Sequence, residues 1–253
     1  MSRQLALGVA VALNSFSESV RHRFFTLFSV FAFTAIYASV LAGILAVDQE
    51  ARVLADTGLA LMELTALAYV LFQVSSSLLR EAETKNIYLV FSRPVPRWLY
   101  LAGKQAGVML TTAFMLLVMG LMHLSLLYVR GFGAPEGYFW ALAGSFLKLA
   151  VISSFAFFVS LFSTSAVSTL VISGILWTLG HFMPETRFLL EKAEGMKALA
   201  LKGALLLVPN LQLFNVRDLP GAAPLSLPAL AAAAAWILGA YLASLFLLSR
   251  KEF

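Results

Sequence analysis

Residues 139–182 read FWALAGSFLKLAVISSFAFFVSLFSTSAVSTLVISGILWTLGHF. Two apolar runs, Phe139 to Phe162 and Ala166 to Phe182, are separated only by Ser163, Thr164 and Ser165, and Lys148 is the only lysine, arginine or acid in the stretch. A ~30 Å hydrocarbon core takes roughly 20 apolar residues in a helix, so this pattern predicts two membrane spans joined by a tight hairpin. Four more runs extend it: Phe24 to Val47, Leu59 to Leu79 with Glu63 and Gln73 inside, Gly107 to Tyr128, and Leu227 to Leu248, which Arg250-Lys251 ends. The expectation is an all-α polytopic bundle of six spans, a single membrane domain over residues 1–253.

Composition agrees. The chain is 60% hydrophobic and 12% charged, about half the charged share of a soluble domain. The first run is too long, and is followed by too much further apolar sequence, to read as a cleaved signal peptide. The absence of cysteine excludes disulfides and thiolate metal sites. A net charge of +5 raises the question of nucleic acid, but the basic residues flank the apolar runs and form no basic, aromatic-interleaved surface. With six spans, ten Lys and Arg residues fall on the side of the termini and seven on the other, five of those in one long loop. Charges in short loops near span ends carry most weight, so both termini are expected in the cytoplasm, in the cell (inner) membrane.

Ahead of the first span, Leu5, Val9, Leu13, Phe16, Val20 and Phe24 recur at three- and four-residue spacing, opposite Arg3, Asn14, Ser17, Glu18 and Arg21. Such a helix suits the membrane interface as an elbow over residues 1–23, or it simply extends the first span. Residues 80–104 mix charge, aromatics, Pro94 and Pro96. Glu81 and Lys85 support a short helix, the prolines force a turn, Trp98 and Tyr100 suit the headgroups, and Gly103 with Gly107 admits a close helix contact. The stretch is longer than a hairpin needs, which fits either a docking surface or a solvated connection. In the other long connection, residues 183–226, a charged amphipathic piece from Glu185 to Lys202 precedes the apolar piece Ala204 to Val208. That piece is too short to span and is expected to re-enter or lie at the outer interface.

Glu18-Ser19-Val20-Arg21, Leu89-Val-Phe-Ser-Arg-Pro-Val-Pro-Arg97 and Tyr100-Leu-Ala-Gly-Lys104, in this order around two spans, resemble the type-2 ABC transporter permeases. Val208-Pro-Asn-Leu-Gln-Leu-Phe-Asn215 is similar to a segment of the branch that serves maturation of nitrous-oxide reductase. The resemblance implies a coupling region at residues 80–105, with Glu81, Glu83, Arg93, Pro94 and Arg97 in the region that meets a separate ABC ATPase subunit. It also implies a second permease copy or a paralogue, and export. ATP and magnesium would bind the ATPase and no cofactor would bind this chain. The chain's own residues agree, since Gly103-Lys104 lacks the glycine a phosphate loop needs at position 98, where Trp98 stands, and Gln105 replaces the magnesium-binding Ser or Thr.

Ionisable groups within spans are costly to bury and point to function. Glu63, one turn into the second run as drawn above, is expected near the outer interface, and Lys148 is deeper. Both are candidate pathway residues. His123 reads as a hydrogen-bonded bundle histidine. An intramembrane enzyme is disfavoured because Ser173 and His181 lie roughly 12 Å apart along one helix and no His-Glu-x-x-His or paired aspartates occur in the spans. A secondary transporter, the other alternative, calls for broken spans and buried ionisable groups near the midplane.

Overall fold

The computed structural model describes residues 2–46, 49–83, 95–216 and 224–250. They form nine α-helices and one 3₁₀ turn, with no strand among the described residues: α1 Ser2–Arg21, α2 Arg23–Leu45, α3 Glu50–Glu83, α4 Arg97–Val129, α5 Tyr138–Phe162, α6 Ala166–His181, α7 Met183–Glu191, α8 Gly195–Leu207, the 3₁₀ turn Leu211–Phe214, and α9 Leu227–Arg250. Five of them, α2, α3, α4, α5 and α9, are long and apolar enough to cross a membrane, and α6 with α7 makes a sixth if a pair bent by 57° is one span.

Helix ends follow local chemistry. At His22 the backbone is extended and the imidazole accepts from the Phe24 N–H, capping α2. Pro96, also extended, precedes the first turn of α4, where its missing N–H costs nothing. Gly137, at φ 75°, supplies the left-handed residue ahead of α5. Ser163 Oγ donates to the Ser165 carbonyl, and Ser165 Oγ caps α6 by accepting from the Val167 N–H, so the predicted serine-rich hairpin is present. Pro184 falls in the first turn of α7, where it cannot donate back to α6. The helix breaks at Phe182.

α3 and α5 form the middle of the bundle. α3 packs on α2, α4, α5 and α6, whereas α5 packs on α3, α4, α6 and α9. α2 and α9 lie at the periphery with most of their surface outward. Leu54, Met62, Ala66, Tyr69 and Val70 of α3 meet Leu149, Ile152 and Phe157 of α5 in one buried cluster.

Several boundaries differ from the sequence reading. α3 begins at Glu50, well before Leu59, and α4 begins at Arg97, ten residues before Gly107. The polar residues at these ends hide the extra turns, because a helix goes on past the hydrocarbon wherever its backbone bonds are made. With 34 and 33 residues, α3 and α4 are each about 50 Å long, roughly 20 Å more than the core they cross. Glu50 and Arg130 form an ion pair at one end of the two helices, so most of the excess lies at the other end, next to residues 84–94, which fall outside the described residues.

α1 also differs. The face it packs against α4 is the small one: Gly8 meets Leu99, Val11 meets Gly103, and Ser15 meets Gly107, where an added Cβ would lie 2.5 Å from the Ser15 Cβ. The near-constant offset between these partners means that α1 runs alongside α4 rather than across it. Val9 and Leu13 of the predicted apolar face are 57% and 54% exposed. The helix therefore has three faces, small toward α4, large apolar outward, and polar. Glu18, at the polar edge, reaches Lys104 at 3.8 Å, and Gln73 Nε2 of α3 donates to Ser19 Oγ at 2.7 Å.

Arg97 closes the bundle at this end. Its guanidinium donates to the carbonyls of Leu248 and Ser249, both at 2.8 Å, in the last turn of α9, where a cation is favoured. Arg97→Ala is expected to fray that turn at a cost of about 1.5–3 kcal/mol, seen as faster amide exchange over residues 244–250.

Candidate functional site

Two of the buried polar clusters contain ionisable side chains from different helices. The first is His123 of α4, fully buried, with Nδ1 2.9 Å from Tyr138 Oη and Nε2 3.3 Å from the Leu54 carbonyl. Tyr138 Oη is also within 3.1 Å of the Gly120 carbonyl, to which it donates. Gly58 makes room for the ring, since a Cβ there would stand 2.1 Å from His123 Nε2. This site joins α3, α4 and α5 by hydrogen bonds, as the sequence suggested for His123. Among the described residues no group of three or more His, Asp or Glu is arranged to hold a metal.

The second is a charge cluster. Lys148 Nζ donates to both carboxylate oxygens of Glu63, at 2.9 and 3.2 Å, and Ser145 Oγ donates to Glu63 Oε2 at 2.7 Å. Ser145 and Lys148 are three residues apart on α5 and so point the same way, toward α3. Glu63 and Lys148 are 3% and 1% exposed. His181, the last residue of α6, brings Nε2 to 3.9 Å from Glu63 Oε1, while its Nδ1 lies 3.0 Å from the Trp177 carbonyl. Desolvating a carboxylate and an ammonium costs several kcal/mol per ion even after relaxation, and the cluster offsets this only because both carboxylate oxygens receive donors.

The pair sits inside the bundle, where α3 and α5 bring the two charges to the same level. Because α3 starts at Glu50, Glu63 is 13 residues along it, roughly 20 Å from that end. Lys148 is ten residues into α5, roughly 15 Å, and matches that level. Neither side chain reaches for a surface.

The chain is also broken at this level. α6 ends at His181 beside Glu63, and the 3₁₀ turn that follows α8 comes back against the bundle. Leu211 and Phe214 are buried, the Phe214 carbonyl faces Gly144 where a Cβ would sit 2.2 Å away, and Leu211 rests on Gly180. Irregular backbone at such a depth is tolerated only where protein covers it. The two glycines leave room for the turn after Pro209-Asn210 to pack against α5 and α6.

No protein-family model and no curated protein matches this sequence. The functional reading therefore rests on residues and geometry.

The residues expected to face an ATPase are only partly described. Glu81 and Glu83 lie in the last turn of α3 with side chains outside the described residues, and Arg93 and Pro94 fall outside them as well. Arg97 is turned toward α9. Conversely, Ser145 and His181 were missed as partners of Glu63. The available signal was one acid and one lysine alone in otherwise uncharged runs, which becomes a pair once the start of α3 is placed correctly.

Proposed function

We propose that this chain is the membrane-spanning permease subunit of an ATP-driven ABC transporter of the type-2 class, an exporter that works with a separate ATPase and with a second copy or paralogue. One observation carries the reading. Glu18 and Lys104, from two sequence elements that resemble that class, meet as an ion pair where α3 and α4 run past the hydrocarbon core. Two helices of about 50 Å that project together make a stiff lever, on which a force applied at residues 80–104 reaches Glu63 in the core. In this reading α1 stands at the level of the cytoplasmic headgroups as an elbow alongside α4, six spans put both termini in the cytoplasm, and ATP and magnesium belong to the partner.

The tagged chain, extracted from its native cell in mild detergent, is expected to retain a soluble ATPase. Arg93→Glu is expected to weaken that association roughly tenfold or more, the scale of an interfacial charge contact, with the thermal transition of the bundle unchanged. Arg97 is a poor target because it caps α9.

A second reading, a secondary transporter, is favoured by the buried Glu63–Lys148 pair beside a broken span, the features expected of that class. If no ATPase accompanies the intact bundle, and its transport continues in cells emptied of ATP while an ion gradient is kept, this reading replaces the first.

A further inference from the structure

His181 sits between two acceptors. The Trp177 carbonyl, 3.0 Å from Nδ1, can only accept, so Nδ1 must carry hydrogen to bond it. In a neutral ring that choice leaves Nε2 as a bare lone pair directed at Glu63 Oε1, 3.9 Å away, an approach of two electron-rich atoms. In an imidazolium both nitrogens carry hydrogen and the same approach is attractive. Glu63 on α3 faces it, and Lys148 on α5 is bonded to both oxygens of that carboxylate. On α7, Glu185 and Arg187 are exposed, and the 3₁₀ turn with its flanking residues contributes Asn210, Gln212 and Asn215, none charged.

His181 is also the last residue before the 57° bend. We propose that His181 and Glu63 form a proton-binding site whose occupancy ties the end of α6 to α3. With the proton bound, the broken span is held against the middle of the bundle. On its release the carboxylate and the imidazole lone pair repel, and α6 is freed at its break, together with the 3₁₀ turn that rests on Gly180. The inference holds whichever energy source drives the protein, because it concerns only what His181 binds.

Trp177 provides the readout. Its ring centroid is 4.3 Å from that of His181, and an imidazolium quenches indole emission more strongly than a neutral imidazole does. The full chain, with Trp98, Trp140 and Trp236 changed to Phe, is placed in lipid nanodiscs and titrated from about pH 8.5 to about pH 5, across the ordinary imidazole range. Trp177 emission is expected to fall in a single step that His181→Gln abolishes. Replacing both charges, Glu63→Gln with Lys148→Gln, is expected to move the midpoint to lower pH, because the carboxylate 3.9 Å from Nε2 is then gone. Glu63→Asp keeps a counterion for Lys148 and draws the carboxylate back, so it should shift the midpoint in the same direction by less, which covers the case of a double variant that fails to fold. A step that survives His181→Gln, or a midpoint that neither Glu63 variant moves, overturns the proposal.

Discussion

Lys148→Met is expected to destabilise the bundle by about 3–5 kcal/mol, the largest loss of any single substitution considered for this protein. The reason is what it leaves behind. Glu63 is 3% exposed, and without the ammonium it keeps a hydroxyl donor from Ser145 but loses its charge partner in a region that cannot solvate an anion. Removing both charges, Glu63→Met with Lys148→Met, should recover most of that stability, since two apolar side chains of similar volume avoid the desolvation altogether. Denaturant unfolding of the single and double variants in detergent measures the difference. A single-variant loss below about 1 kcal/mol would mean that water reaches the pair, contrary to its burial. The double variant also separates structure from function, because a purely structural pair can be replaced with transport intact, whereas a pair on the pathway leaves a stable protein that no longer transports.

Gly58→Ala should be the next most damaging change, at about 2–4 kcal/mol. A methyl group at that position would lie 2.1 Å from His123 Nε2 and 2.6 Å from two ring carbons, so the ring must leave its place. It would then lose its contacts with Tyr138 and the Leu54 carbonyl, which are fully enclosed. The signature is non-additivity. Gly58→Ala with His123→Ala should be more stable than Gly58→Ala alone, because the second change removes the clash and the first fills part of the space. Equal or summed losses would show that Gly58 is needed for another reason.

The two sites were legible to different degrees. His123 was readable as a bonded bundle residue because a lone imidazole in an apolar run must find partners, although nothing in its neighbours named Tyr138 or the Leu54 carbonyl. Glu63 and Lys148 were both conspicuous as charges in apolar runs, yet their pairing depended on depth, and depth depended on where α3 begins. Asp56, Arg52 and Glu50 made that start look like a loop, whereas a helix continues through polar residues once it has left the hydrocarbon. α1 illustrates the same limit. Its large apolar residues mark a face suited to the membrane interface, but nothing in that pattern shows the close approach to α4 at Gly103 and Gly107, which requires small residues and turns Gly8, Ala12 and Ser15 inward.

By itself the sequence determined that the chain is a helical membrane protein, that Ser163 to Ser165 turn one helix into the next, and that Glu63 and Lys148 are the charges inside the apolar runs. These follow from composition, because each residue in hydrocarbon is selected by the same transfer energy wherever it stands in the chain. Only the tertiary structure decided that Glu63, Ser145, Lys148 and His181 converge, that α6 stops beside them, and that Gly58, Gly144 and Gly180 are the gaps into which other groups fit. Those outcomes depend on the rotation and fine offset of one helix against another, which hydrophobic matching to the bilayer constrains only loosely. They are set instead by which side chains fit together when three helices meet.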